Sequence, residues 1–183
     1  MSLRSRFGTP RGLVRLALSY PQFALLPAAE RNPDPAKIRR LVFVCHGNIC
    51  RSAYAEAVAC SLDLATASFG LSTYAGGPAH PPAVAAGLAL GHDMSAHRTT
   101  RAEDFDLRPG DLLLAMEVRQ RARLAADPRL GGAARSLLGL WAQPPMPHLH
   151  DPFGLDDAYM TTCLRRIGVA VAGLKEAFPG ARL

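Results

Sequence analysis

Four consecutive apolar residues, Leu41, Val42, Phe43 and Val44, run without a break into Cys45-His46-Gly47-Asn48-Ile49-Cys50-Arg51-Ser52, and apolar side chains then recur at Ala55, Val58, Ala59 and Leu62. The change from an unbroken run to helical spacing puts a turn between a strand buried on both faces and a helix that packs back onto it. Such a strand belongs in a parallel sheet covered by helices. Gly47 lets the chain curl where a Cβ would intrude, and Asn48 tolerates left-handed dihedrals. Backbone N–H groups of the turn converge on one point, the helix behind directs its positive end there, and Arg51 adds a planar two-pronged donor. His46, Gly47, Asn48, Ile49, Cys50, Arg51 and Ser52 therefore form a cradle for a phosphate-like anion. The same field favours the thiolate of Cys45, and Ser52 is placed to hydrogen-bond that thiolate or to cap the helix.

The rest of the chain repeats the alternation. Strands are predicted over 39–44, 67–73, 111–116 and 135–140, and helices over 52–62, 82–90 and 117–126. A last helix carries Tyr159, Cys163, Ile167, Ala170, Leu174 and Phe178 at helical spacing and stops at Pro179-Gly180. This order predicts an α/β fold: a single doubly wound domain with a central four-stranded parallel sheet flanked by helices, and the phosphate loop after strand one. A chain of 183 residues, 49% of them hydrophobic, fills one sizeable core and is short for two. Residues 39–183 are assigned to the domain and 1–38 to a basic N-terminal extension.

The stretch from Val44 to Ser52 resembles the signature of the low molecular weight protein tyrosine phosphatases, and Asp151-Pro152-Phe153 resembles a second element of that family. Between them, Asp93-Met94-Ser95-Ala96-His97-Arg98 is similar to the segment after the family's second helix. Asp111-Leu112-Leu113-Leu114-Ala115-Met116-Glu117 is similar to its third strand and the start of the next helix. The resemblance covers residues 39–178. It implies that Cys45 is a nucleophile, that Arg51 holds the phosphoryl oxygens, and that Asp151 protonates the departing oxygen and then activates water. It further implies that Ser72 supports the loop through Asn48, that His97 joins that network, and that Phe153 forms one wall of the pocket. The 72–83 segment is shorter than the usual loop there, which leaves Tyr74 as the other wall. Ala53 stands where proline is usual, and Phe153 lacks the hydroxyl of the commoner tyrosine. Members acting on phosphoarginine carry threonine at the position of Ile49, so an aryl phosphate is the expected substrate class. No cofactor and no metal are implied, and the implied partner is a phosphotyrosine-bearing protein, such as a bacterial tyrosine kinase.

The chemistry demands the same groups. An anionic sulfur must meet a phosphomonoester dianion in line, so the loop amides and Arg51 have to neutralise the equatorial oxygens. A carboxylic acid must start protonated while the thiol starts ionised, which places the optimum on the acidic side of neutrality. Other readings compete. Asp151-Pro152 also suits a plain turn start. A noncatalytic phosphate-binding module would normally have lost Cys45, Arg51 or Asp151. An arsenate reductase of the thioredoxin-coupled kind shares the loop but needs two more downstream cysteines, and only Cys163 follows Cys60. His148, His150 and Asp151 lie among prolines in a poor arrangement for a metal. Cys50 reads either as a small buried residue or as a disulfide partner for Cys45 under oxidant.

Charge is concentrated at one end. Residues 1–40 carry eight basic side chains against Glu30 and Asp34, which accounts for the whole net charge of +6. No acidic residue precedes Glu30. Leu13, Val14, Leu16, Ala17, Leu18 and Tyr20 predict a short amphipathic helix ending at Pro21, whose apolar side either docks on the body or contacts an anionic membrane or acidic partner. Nucleic acid is not expected. Pro10, Pro21 and Pro27 interrupt any long helix of the transit-peptide kind. Four cysteines without a paired framework point to a reducing cytoplasm, and no apolar run reaches the length of a membrane span.

Overall fold

The apolar run becomes β1 (Arg40–Cys45) in a computed structural model that describes residues 3–183, and every β1 residue after Arg40 is buried. It lies between β2 (Thr66–Gly70) and β3 (Asp111–Ala115), with β4 (Ala134–Leu137) beyond β3. All pairings are parallel. Leu41, Phe43, Leu112 and Leu114 face one layer, where they pack with α4 (Arg51–Ser61), α5 (Pro81–Ala89) and α7 (Asp157–Ala177). Val42, Val44, Leu113 and Ala115 face the other, against Leu124 of α6 (Val118–Ala126) and against Phe69 and Leu137. Two buried faces explain why these strands read as continuous apolar runs. The crossover from β1 runs through α4 on one face, and that from β3 runs through α6 on the other. Chains leaving the ends of neighbouring strands in opposite directions open a crevice, and the 46–50 loop occupies it.

Strand and helix boundaries mostly fall within a residue of expectation, with two exceptions. β2 stops at Gly70 rather than at residue 73, because the chain turns over the loop: Leu71 N–H donates to Cys45 O and Ser72 N–H to His46 O. The predicted fourth strand ends early at Leu137 and continues as a 3-10 turn, Leu138–Trp141. Gly139 sits there so close to Met146 that a Cβ would overlap its carbonyl, and Met146 N–H donates to Gly139 O at 2.7 Å.

The extension forms α1 (Leu3–Phe7), α2 (Pro10–Ala24) and α3 (Ala28–Arg31). α2 does not end at Pro21 as expected. Proline removes one donor, but docking outweighs that loss: Gly12, Leu16 and Ser19 are buried, and Tyr20 Oη donates to Pro145 O at 3.0 Å. Thr9 caps its start by accepting from Gly12 N–H at 3.0 Å, and Pro10 occupies the first turn, where a missing N–H is harmless. At the far end the buried Glu30 carboxylate takes both prongs of Arg121 and the Nε of Arg135, while Ser136 Oγ donates to Glu30 O. Replacing that carboxylate strands two half-buried guanidinium groups. Glu30→Ala is therefore expected to cost about 2 kcal/mol, read as a lowered urea midpoint with an unchanged slope.

Candidate functional site

Cys45 ends β1 opposite Gly70, and Gly70 must be glycine here because a Cβ would meet Thr73 Cγ2 at 2.8 Å and Asn48 Cβ at 3.1 Å. Asn48 takes φ 54°, the left-handed value its residue type tolerates, and is fully buried. Its side chain fastens the loop: Nδ2 donates to Ser52 Oγ at 2.9 Å and Ser68 Oγ at 2.7 Å, and Oδ1 accepts from Thr100 N–H at 2.9 Å. His97 Nε2 donates to Asn48 O at 2.8 Å, and Ser68 Oγ donates to Glu56 Oε2 at 2.6 Å.

Besides Ser52 of the loop itself, the serine bonded to Asn48 is thus Ser68, not Ser72. Side chains alternate along a strand, so Ser68 and Gly70 share the face beneath Asn48, and the missing Cβ of Gly70 leaves it room. Ser72 instead lines the pocket beyond the end of β2. The Ser-Phe-Gly alternation at 68–70 is the signal that could have identified Ser68.

The Cys45 sulfur accepts from Asn48 N–H at 3.2 Å and lies 3.1 Å from Ser52 Oγ. Arg51 lies almost wholly buried beside it. Its Nη1 donates to Glu117 Oε1 at 2.7 Å and to Leu149 O at 2.9 Å, and Nη2 donates to Asp151 Oδ2 at 2.5 Å. Its Nε is buried with no hydrogen-bond partner among the described residues, a donor suited to an anion's oxygen. Burial opposes the charge on Arg51, but Asp151, Cys45 and Glu117 more than compensate and raise its pKa.

Glu117 was not recognised from the sequence as part of the site. It directly precedes α6, accepts from Arg51, from Arg119 Nε at 2.7 Å and from Gln120 Nε2 at 3.2 Å, and is 1% exposed. Burial alone would raise its carboxyl, but Arg51 and Arg119 overcome this and hold it at about 2. His148 Nδ1 stands 3.8 Å from Glu117 Oε2, and burial pushes this imidazole down to about 4. His150, also lowered by burial, lies 3.1 Å from Thr9 Oγ1 of the extension, and a Cβ on Gly8 or Gly12 would strike its ring. Among the described residues no three His, Cys, Asp or Glu side chains are grouped to hold a metal ion.

The buried His148 and Glu117 set a pH dependence of stability. The unfolded chain binds a proton at His148 near its ordinary value of about 6.5, whereas the folded chain resists it down to about 4, so stability is full above that range and lost as pH falls through it. Glu117 adds a loss of the same sign at still lower pH, as its folded carboxylate is protonated only near about 2. Urea midpoints at pH 7 and 4.5 should differ by the equivalent of about 2–3 kcal/mol, and His148→Gln should remove most of that difference.

Asp151 Oδ1 accepts from Phe153 N–H at 3.2 Å while Oδ2 receives Arg51, which ties the loop before α7 to the cradle. A pocket of about 430 Å³ joins Cys45, Arg51 and Asp151 to Ile49, Tyr74 and Phe153. Tyr74 and Phe153 stand exposed at its rim, and Phe153 packs on His80 with ring centres 4.9 Å apart. His46 is exposed and Cys50 buried, and both line the pocket. All four cysteines are free thiols, and burial raises that of Cys50.

Residues 40–179 match the family profile described as low molecular weight phosphotyrosine protein phosphatase. Over 91 residues the chain is 33% identical to a probable low molecular weight protein-tyrosine-phosphatase, EpsP, of Ralstonia solanacearum, a match covering 49% of this chain and 63% of that protein. The chain thus spans about three fifths of the length of the curated relatives it matches. The solved low molecular weight protein tyrosine phosphatase of T. tengcongensis superposes with a TM-score of 0.66 at 26% identity, covering 75% of this chain and 98% of that one. The tyrosine phosphatase AmsI of Erwinia amylovora shares the fold with a TM-score of 0.66 at 23% identity, covering 77% and 93%.

Proposed function

The chain belongs to the low molecular weight phosphotyrosine protein phosphatase family, and on that premise we propose that it hydrolyses phosphotyrosine in proteins through a phosphocysteine on Cys45. The observation that carries this reading is one pocket holding a sulfur that accepts a loop N–H, a buried guanidinium with an unpartnered donor, and a carboxyl group at the rim. A dianion entering the cradle takes Nη2 of Arg51 from Asp151 and engages the waiting Nε, so binding releases the Asp151 carboxylate, which takes up a proton from solvent beside the bound dianion. The Cys45 thiolate then attacks phosphorus. Its electron pair forms the S–P bond, the P–O bond to the tyrosyl oxygen breaks, and Asp151 gives that oxygen its proton. Water next attacks phosphorus, Asp151 takes the proton, the S–P bond breaks, and inorganic phosphate leaves with the thiolate restored. The donors from Asn48 N–H and Ser52 Oγ stabilise the sulfur when it departs.

Ile49, Tyr74 and Phe153 give the pocket mouth an apolar lining that suits an aromatic ring. The partner is a phosphotyrosine-bearing protein, and a bacterial tyrosine kinase is one member of that class. Among the described residues no helix is long and apolar enough to cross a membrane.

Asp151→Asn tests the mechanism. With esters of weakly acidic phenols kcat should fall by about 10²–10⁴ while KM changes little. With an activated ester such as p-nitrophenyl phosphate the first step needs less help, so the loss falls on hydrolysis of the intermediate. Acid quenching and mass spectrometry should then find one phosphoryl group on the Cys45 peptide. A quenched sample without it under steady turnover would remove the covalent pathway.

A further inference from the structure

α2 is apolar on two sides, and the body covers only one. Gly12, Leu16 and Ser19 face inward, whereas Val14, Leu18 and Leu25 stand 57%, 55% and 86% exposed on the opposite side. At about 100° per residue, Val14, Leu18, Pro21 and Leu25 fall within an arc of about 60°. Arg11 and Arg15, both exposed, continue the same side. Single exposed apolar residues are ordinary, but an aligned row on an outward helix face marks an interaction surface.

Charge decides what fits there. Exposed Arg11 and Arg15 flank the row, no carboxylate occurs before Glu30, and Glu30 itself is turned inward onto Arg121 and Arg135. A second copy of the chain, related by a two-fold axis, would bring this cationic border against itself. An anionic lipid surface has the opposite charge and accepts the row beneath its headgroups. We propose that α2 seats on an anionic bilayer, lying in the plane of the interface with Val14, Leu18, Pro21 and Leu25 at the headgroup–acyl boundary and Arg11 and Arg15 against lipid phosphates. The buried strip of the same helix fixes the body to that surface, so the pocket would act on phosphotyrosine held near the membrane.

Flotation of the full chain with vesicles tests this. Binding is expected with phosphatidylcholine vesicles holding about one-third phosphatidylglycerol, at least about tenfold weaker on phosphatidylcholine alone, and reversed by high salt. Val14→Asp with Leu25→Asp, and separately Arg11→Glu, should each weaken binding by about tenfold or more, since each removes what an interfacial helix needs. Melting curves and aryl phosphate hydrolysis should stay at wild-type levels in both variants, because Val14, Leu25 and Arg11 are exposed and line neither the Cys45 pocket nor the groove beside Glu117 and His148. Leu18→Trp should show blue-shifted emission only with anionic vesicles. The proposal falls if no vesicle binds, if the aspartates leave binding unchanged, or if the chain binds an acidic protein through this face and not lipid. It also falls if the chain sediments as a dimer that the aspartates dissolve.

Discussion

Cys45→Ser is expected to lower aryl phosphate hydrolysis by more than about 10⁴-fold while the folded chain still binds inorganic phosphate within a few-fold of wild type. A serine hydroxyl keeps the hydrogen bonds, because Asn48 N–H and Ser52 Oγ face oxygen as readily as sulfur. It does not keep the reactivity. An alkoxide lies far above any accessible pKa, and among the described residues the hydrogen bonds of Cys45 Sγ run to Asn48 N–H and Ser52 Oγ, neither of which is a base able to generate it, while Asp151 is engaged by Arg51. Rates from p-nitrophenyl phosphate and affinities from phosphate titration calorimetry check both halves. Retention of more than about 1% of kcat/KM would move the nucleophile elsewhere. Absence of turnover in the wild-type chain, with phosphate binding intact, would favour the noncatalytic module instead.

The sheet and the cradle were legible because each has a local pattern. Leu41–Val44 and Leu112–Ala115 are continuous apolar runs, and a parallel strand with both faces covered has no other way to appear. The loop announced itself through Gly47, Asn48 and Arg51 in fixed order after such a run. Glu117 carries no such pattern. A single carboxylate after an apolar strand looks like the solvated start of a helix, and only its approach to Arg51, 66 positions away in sequence, makes it the group that aims the guanidinium. Residue type does not separate Ser68 from Ser72, because strand register decides which hydroxyl lies under Asn48. Pro21 misled for a related reason: propensity prices one lost hydrogen bond, and docking of Leu16 and Tyr20 exceeds it. The fit of Gly8 and Gly12 against His150 joins residues about 140 positions apart and has no local trace at all.

Arg51→Lys is expected to lower kcat/KM by about 10³–10⁵-fold, although it preserves the charge. Arg51 serves four directions at once: Glu117, Leu149 O and Asp151 hold its two terminal nitrogens, and Nε remains for the anion. An ammonium has three donors and no fixed plane. If it turns to Glu117, the cradle loses its cation; if it turns to the anion, Glu117 keeps only Arg119 and Gln120 for a buried carboxylate. The second choice costs stability as well, about 2–4 kcal/mol, because an under-compensated buried charge remains. A double-mutant cycle separates the two effects. Glu117→Gln removes the charge that needs compensation, so Arg51→Lys with Glu117→Gln should regain most of the lost urea midpoint without regaining activity. Recovery of both would mean that Glu117 and Arg51 matter only for folding, and the planar two-pronged donor would have no part in holding the phosphoryl group.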